Sequence, residues 1–427
     1  MLILIFVISL IALIAIGIPI AFSLLITGII LAFVLGAYDT QMIAQTVIGG
    51  ANSFPLMAIP FFILTGELMN AGGMSKRIIH FAMTVVGHIR GGLGYVAVIA
   101  SVLFAGLTGS AVAEIAAIGS ILIPMMVKSG YNRNRSTGLI AAGGIIGPII
   151  PPSIPLIIMG VTANISISQL FLAGVVPGIL MALGLVIAWW LLMRKEKPEV
   201  FERKSFKDMI IAFGHTIWAL ILPVIILVGL RFGVFTPTEA GVVAVAYALI
   251  VGMVIYRELK IKHLFEIMVN TAKTSSIVIF LVACSMVTAK MLTLGKLPMQ
   301  ILDLLEPLVD SPVLLLLMIN LLVLIIGMAM DLIPIVLILV PVTMPLITAA
   351  GIHPVVFGLM FIFNACIGLL TPPVGAAMNV ACGVGRINML QFVKGIWPFL
   401  LVYVILLLAM IFFPQIILSP LGWLTGK

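Results

Sequence analysis

Long apolar stretches, many near the roughly 20 residues a helix needs to cross a bilayer, alternate along the chain with short polar joints. The pattern predicts helices over about 93–106, 110–127, 170–193, 212–230 and 238–256, and a further segment starting near Thr137. Residues 1–36 read either as one long helix or as two short ones parted near Gly17-Ile18-Pro19. Residues 52–70 are apolar but too short to cross twice, which predicts a re-entrant hairpin containing Glu67. The stretch from Lys76 to Arg90 is basic and amphipathic and suits a membrane surface. Two apolar segments carry an interruption where a spanning helix would normally run on: Gly147-Pro148-Ile149-Ile150-Pro151-Pro152-Ser153 and Gly368-Leu369-Leu370-Thr371-Pro372-Pro373-Val374. Paired prolines remove two amide donors and push the preceding residue out of the helical region. Each carbonyl released in hydrocarbon costs several kcal/mol unless it is buried in protein or coordinates something. A kink satisfied by neighbouring helices is the plain alternative for one such pair. Two at matching positions favour an ion and substrate site built from broken helices.

The match is quantitative. A shift of 221 residues, which places Gly147 on Gly368, runs without a gap from Gly106 to Pro177. It superposes Gly106 on Gly327, Pro124 on Pro345, Gly130 on Gly351, Pro151-Pro152 on Pro372-Pro373, Phe171 on Phe392, Gly174 on Gly395 and Pro177 on Pro398. The two windows hold six and seven prolines, and four coincide where chance gives about 0.6. The chain is a duplicated unit.

Composition places both copies in a membrane: 63% of the 427 residues are hydrophobic and 8% charged, with a mean hydropathy of +1.36. The net charge of +8 would suggest nucleic acid in a water-soluble chain; here it reads as basic cytoplasmic loops, and no nucleic-acid partner is expected. Arg194–Asp208, with six Lys/Arg against four Asp/Glu, is the longest polar segment and reads as cytoplasmic. Arg257, Lys260 and Lys262 return the chain to that side, which leaves Phe232–Thr238 outside. The basic 76–90 stretch corresponds in the second copy to 301–312, with Asp303, Glu306 and Asp310; the basic loop Lys128–Arg135 corresponds to Ala349–Pro354, which has no Lys or Arg. The copies therefore face opposite sides of the bilayer, the arrangement of alternating-access carriers. Five stretches follow: scaffold helices in 1–50, a first inverted repeat in 51–193, a basic loop and two connecting helices in 194–263, a second repeat in 264–413 and a tail in 414–427. The N-terminus lacks a basic leader pattern and reads as retained. Cys284, Cys366 and Cys382 lie in apolar segments with no metal or disulfide spacing.

Candidate chemistry follows from the breaks. Sodium prefers oxygen, and released carbonyls, hydroxyls and carboxylates all qualify. In the first copy the candidates are the Gly147–Pro152 turn and the facing Ala105-Gly106-Leu107-Thr108-Gly109-Ser110; in the second, Gly368–Val374, with the Thr371 hydroxyl, and the facing Gly327–Asp331. Ordinary packing of small residues is the competing explanation. Asp331, flanked by apolar sequence, is expected to face a cavity, a cation or a partner, or else to cap the half-helix that starts near Ile333-Pro334. Glu114 and Glu67 raise the same question. Asn364 and Asn379 read equally as polar glue or as substrate contacts, and half-helix N-termini after each Pro-Pro suit an anionic substrate. Thr236-Pro237-Thr238-Glu239 reads as a capping box, with docking of an external partner as an additional role for Glu239. No metalloprotease, serine-hydrolase or nucleotide-binding sequence is present. An intramembrane hydrolase using Asp331 is a remote alternative.

These residues resemble the large membrane subunit of TRAP transporters. The resemblance is carried by Gly106–Glu114, Gly147–Ser153 and Gly368–Gly375, by Ile59–Met69 and by Phe235–Gly241. Thr108 stands where the family commonly has serine, which retains the hydroxyl. The likeness implies an all-α polytopic membrane protein, an inverted-repeat elevator-type transporter with re-entrant hairpins and broken helices in a bacterial inner membrane. It implies sodium as the coupling ion, a small four-helix membrane subunit as a separate partner, and a periplasmic substrate-binding protein that delivers an organic anion. Sialic acid, slightly favoured on overall likeness, and C4-dicarboxylates are the implied substrates. Sodium sites carried over from the family fall at Ala105, Thr108, Gly147, Ile150 and Pro152, and at Gly327, Gly368, Thr371 and Val374. Ser110, Asp331, Asn364 and Asn379 remain the substrate or coupling candidates. A self-sufficient sodium symporter without a binding protein is the alternative within transport.

Overall fold

A computed structural model describes residues 2–194, 196, 201–297, 299–300 and 311–425. The described residues are helical and contain no strand, and eight helices are long and apolar enough to cross a membrane. The N-terminal segment is two helices, α1 (Leu2–Ala15) and α2 (Ile20–Val34), because Gly17 takes φ +90 and Pro19 caps the second. There follow α3 (Thr40–Ala51), α4 (Ala58–Ala71), the amphipathic α5 (Met74–Val86), α6 (Gly92–Thr108), α7 (Ala111–Lys128), α8 (Arg133–Gly144), α9 (Ile154–Ala163) and α10 (Ile167–Met193). The connecting helices are α11 (Phe206–Arg231) and α12 (Pro237–Ile250). The second copy comprises α13 (Ile261–Leu294), α14 (Pro312–Gly327), α15 (Leu332–Ala349), α16 (Pro354–Leu369), α17 (Ala376–Gly385) and α18 (Met389–Phe412), with α19 (Gln415–Thr425) after it.

One expectation is corrected. Residues 52–70 do not fold back on themselves: a 3-10 turn at Phe54–Met57 runs straight into α4. Pro55 and Pro60 sit in first turns, where no i−4 donor is lost, so neither reverses the chain. The reversals lie instead between α6 and α7 and between α14 and α15, each pair packed together as a hairpin. The 301–310 part of the acidic counterpart to α5 lies outside the described residues.

The 221-residue shift places α7 on α15, α8 on the start of α16, α9 on α17 and α10 on α18. Even the caps correspond. Ser110 caps α7 by accepting from the Ala113 N–H, and Asp331, its counterpart, caps α15 by accepting from the Leu332 N–H at 2.8 Å. Asn132 caps α8 and its counterpart His353 caps α16. The copies interlock: the second arm of each hairpin packs on the far half of the other copy's broken helix, α7 on α17 and α15 on α9. A scaffold of α2, α3 and α4 lies along α13, while α5 packs against α11. Arg77 ties α5 down through Glu258 at 2.7 Å and by standing 3.9 Å over the Tyr256 ring.

Candidate ion and substrate site at the helix breaks

Both interruptions form as the prolines dictate. α8 ends at Gly144 and α9 begins only at Ile154; α16 ends at Leu369 and α17 begins at Ala376. The Pro151-Pro152 and Pro372-Pro373 peptide bonds are cis. Neighbours satisfy part of what the breaks release. The buried Tyr403 hydroxyl donates to the Ala142 carbonyl at 2.7 Å, and Ser153, the cap of α9, donates to Pro148 O while accepting from Leu156 N. The remainder is unspent: the carbonyls of Gly147, Ile150 and Pro152, and that of Val374, accept no backbone hydrogen bond.

Each hairpin tip is pressed against the break of its own copy. In the second copy, the Val374 and Gly375 N–H groups both donate to Met328 O, at 3.0 and 3.1 Å. Gly327 and Gly368 meet there so closely that a Cβ on Gly368 would stand 2.7 Å from the Gly327 Cα. In the first, Gly109 turns at φ +58, and an added Cβ would lie 2.6 Å from Pro152 O. Any side chain at these glycines would push tip and break apart.

A cleft of about 390 Å3 opens where the two tips converge, a size that suits a small organic ligand. The first tip brings Thr108, Gly109 and Ser110, the second Asp331, Leu332 and Ile333, and the scaffold brings Glu67 and Asn70 from α4 and Thr274 from α13. Asp331, Glu67, Asn70 and Thr274 are exposed within a mainly apolar wall. Asp331 therefore both caps α15 and faces the cleft. Thr274 escaped sequence reasoning; its signal is the polar run Lys273–Ser276 inside an apolar helix.

The expected residues divide. Ala105, Thr108, Gly147, Ile150 and Pro152 gather around the first tip and break, Gly327, Gly368, Thr371 and Val374 around the second. Thr108 Oγ1 is buried without a partner. Thr371 Oγ1 donates to Ile367 O at 2.8 Å and keeps its lone pairs free to accept. These oxygens fit a hard monovalent cation. Among the described residues no group of three or more His, Cys, Asp or Glu is placed to hold a metal ion. Asn364 and Asn379 do not line the cleft. Asn364 is buried and donates to Asn320 O, a contact that joins α16 to α14. Glu239 is exposed and completes a capping box with Thr236, its carboxylate accepting from that residue's N–H at 2.8 Å.

Residues 7–416 match the family model described as the DctM component of the tripartite ATP-independent periplasmic transporters. The chain belongs to this family. It is 51% identical over 412 residues to a protein of Escherichia coli K12 named 2,3-diketo-L-gulonate TRAP transporter large permease protein, covering 96% of this chain and 97% of that one. It is 39% identical over 403 residues to a Vibrio cholerae protein named sialic acid TRAP transporter large permease, covering 93% of each. A Pseudomonas aeruginosa protein named for C4-dicarboxylate is 35% identical over 402 residues, covering 94% of each. Among solved structures, the fold resembles the Alcanivorax borkumensis YdaH transporter, with a TM-score of 0.61 at 15% identity, covering 93% of this chain and 98% of that one. As a member of this family the chain is a multi-pass transport subunit rather than an enzyme.

Proposed function

We propose that this TRAP permease takes up an organic acid together with sodium, in the inner membrane, by moving the two hairpins and broken helices as a unit past the scaffold. One observation carries the reading: in both copies a hairpin tip abuts a break with unspent oxygens, and both tips line one cleft. Sodium at each break would tie tip to break, so the cleft would close around substrate only when both ions are present. Helix N-termini at Ser153 and Gly375 add positive dipole ends suited to an anion. Each sodium entering down 100 mV yields about 2.3 kcal/mol. Two support roughly a thousandfold accumulation from potential alone, less what the anion's own charge takes back.

Tripartite transporters of this family imply a small membrane subunit and a periplasmic binding protein as partners. Beside the leaning towards sialic acid stands a second candidate: the 51% identical relative carries a six-carbon sugar acid in its name, while the sialic acid and C4-dicarboxylate relatives are 39% and 35% identical. A sugar acid, small or nine-carbon, is the substrate class to test first. Proteoliposomes holding the permease, its small subunit and its binding protein test this. Uptake of 2,3-diketo-L-gulonate, N-acetylneuraminate and succinate is compared under an inward sodium gradient and with choline in its place. Uptake indifferent to sodium would sink the coupling. Uptake without the binding protein would favour a self-sufficient symporter.

A further inference from the structure

Glu114 lies in the first turn of α7, one turn inside the first hairpin tip, and is fully buried. Neither of its carboxylate oxygens has a well-formed hydrogen-bond partner, although the Ser101 hydroxyl lies close to it, and the Thr108 hydroxyl is likewise buried and unpaired. Its Oε2 stands 2.6 Å from the place a Cβ on Gly147 would occupy, so glycine at 147 is what lets the carboxylate reach the break. A carboxylate so enclosed is strongly unfavourable unless an opposite charge joins it. The equivalent position of the second copy differs: 221 residues on stands Ile335, fully buried and apolar. Asp331, the acid on the second hairpin, is exposed in the cleft and holds the Leu332 N–H.

We infer that Glu114 supplies a charged oxygen ligand to a monovalent cation at the first break, which makes the two breaks unequal sites. The first is anionic and the second is built of neutral oxygens. One carboxylate matches one positive charge; a divalent ion would leave net charge buried at membrane depth. The first ion is therefore the more tightly held of the two. This inference rests on the sodium reading above.

The complete permease with its small subunit, in lipid nanodiscs, is titrated with sodium chloride against choline chloride by calorimetry. The expected wild-type result is two classes of sodium site. Glu114→Gln abolishes the tighter class or weakens it by at least about tenfold and spares the other; Glu114→Asp recovers part of the loss. Two classes at wild-type affinity in Glu114→Gln would overturn the inference and leave the sodium reading standing, whereas no sodium-specific binding in the wild type would remove both. Should Glu114→Gln fail to fold, the wild-type infrared difference spectrum between sodium and choline decides. Sodium must shift a buried carboxylate band; a protonated carboxyl band unchanged at saturating sodium rejects the assignment.

Discussion

Substituting Gly368 by alanine probes the contact on which sodium dependence is argued to rest. The new Cβ would stand 2.7 Å from both the Cα and the carbonyl carbon of Gly327, against ordinary carbon–carbon separations of about 3.5–4.0 Å. Both opposing atoms are backbone, so no side chain can swing aside, and tip and break must part by roughly 1 Å. That separation stretches the paired hydrogen bonds from Val374 and Gly375 to Met328 O, now 3.0 and 3.1 Å. Overpacking of this kind costs about 1–3 kcal/mol, which converts to a sodium half-saturation roughly 5- to 150-fold higher. Gly327→Ala should do less, since its Cβ would meet the Gly368 Cα at 3.2 Å. Gly383→Ala is the control: it lies on α17 with nothing within 4 Å, and should be neutral or stabilising by about 0.5–1 kcal/mol. The assay is uptake into proteoliposomes across a sodium series, beside thermal melting of each variant. Wild-type half-saturation and melting in Gly368→Ala, or equal damage in Gly383→Ala, would refute the reasoning.

Thr371→Ala should raise the sodium half-saturation severalfold while leaving melting nearly unchanged, because the hydroxyl's present bond is a local one to Ile367 O. Unchanged sodium titrations would show that it is no ligand. Tyr403→Phe should cost about 1–3 kcal/mol of stability by stranding the Ala142 carbonyl in the core, read by denaturant unfolding in detergent. Thr236→Ala should lower stability by about 0.5–2 kcal/mol through loss of the α12 cap, with Glu239→Gln close to wild type. If Glu239→Gln instead impairs uptake only when the binding protein is present, the residue docks that partner as well.

Local chemistry written in the chain accounts for much of this protein. Proline pairs break helices wherever they fall, since a missing amide cannot be replaced, so both interruptions were legible at residues 147–153 and 368–374. The 221-residue repeat, the N-terminal break at Gly17–Pro19 and the capping box at Thr236–Glu239 are local in the same sense. Hydropathy alone put the chain in a membrane. What it left open was which surfaces meet. The 52–70 stretch looked like a hairpin because length was the only criterion, whereas the reversals at Gly109-Ser110 and Met328–Met330 appear once α6 lies on α7 and α14 on α15. The partner of Asn364, the Asn320 carbonyl on α14, is likewise visible only once the helices are packed. Glu67, Asn70 and Thr274 reach the cleft only because α4 and α13 pack beside the hairpin tips. Interruptions belong to the backbone and are encoded residue by residue. A site belongs to the space between helices, and only the close approach of glycines such as Gly327 and Gly368, nearly identical in sequence terms to ordinary packing positions, decides where that space lies.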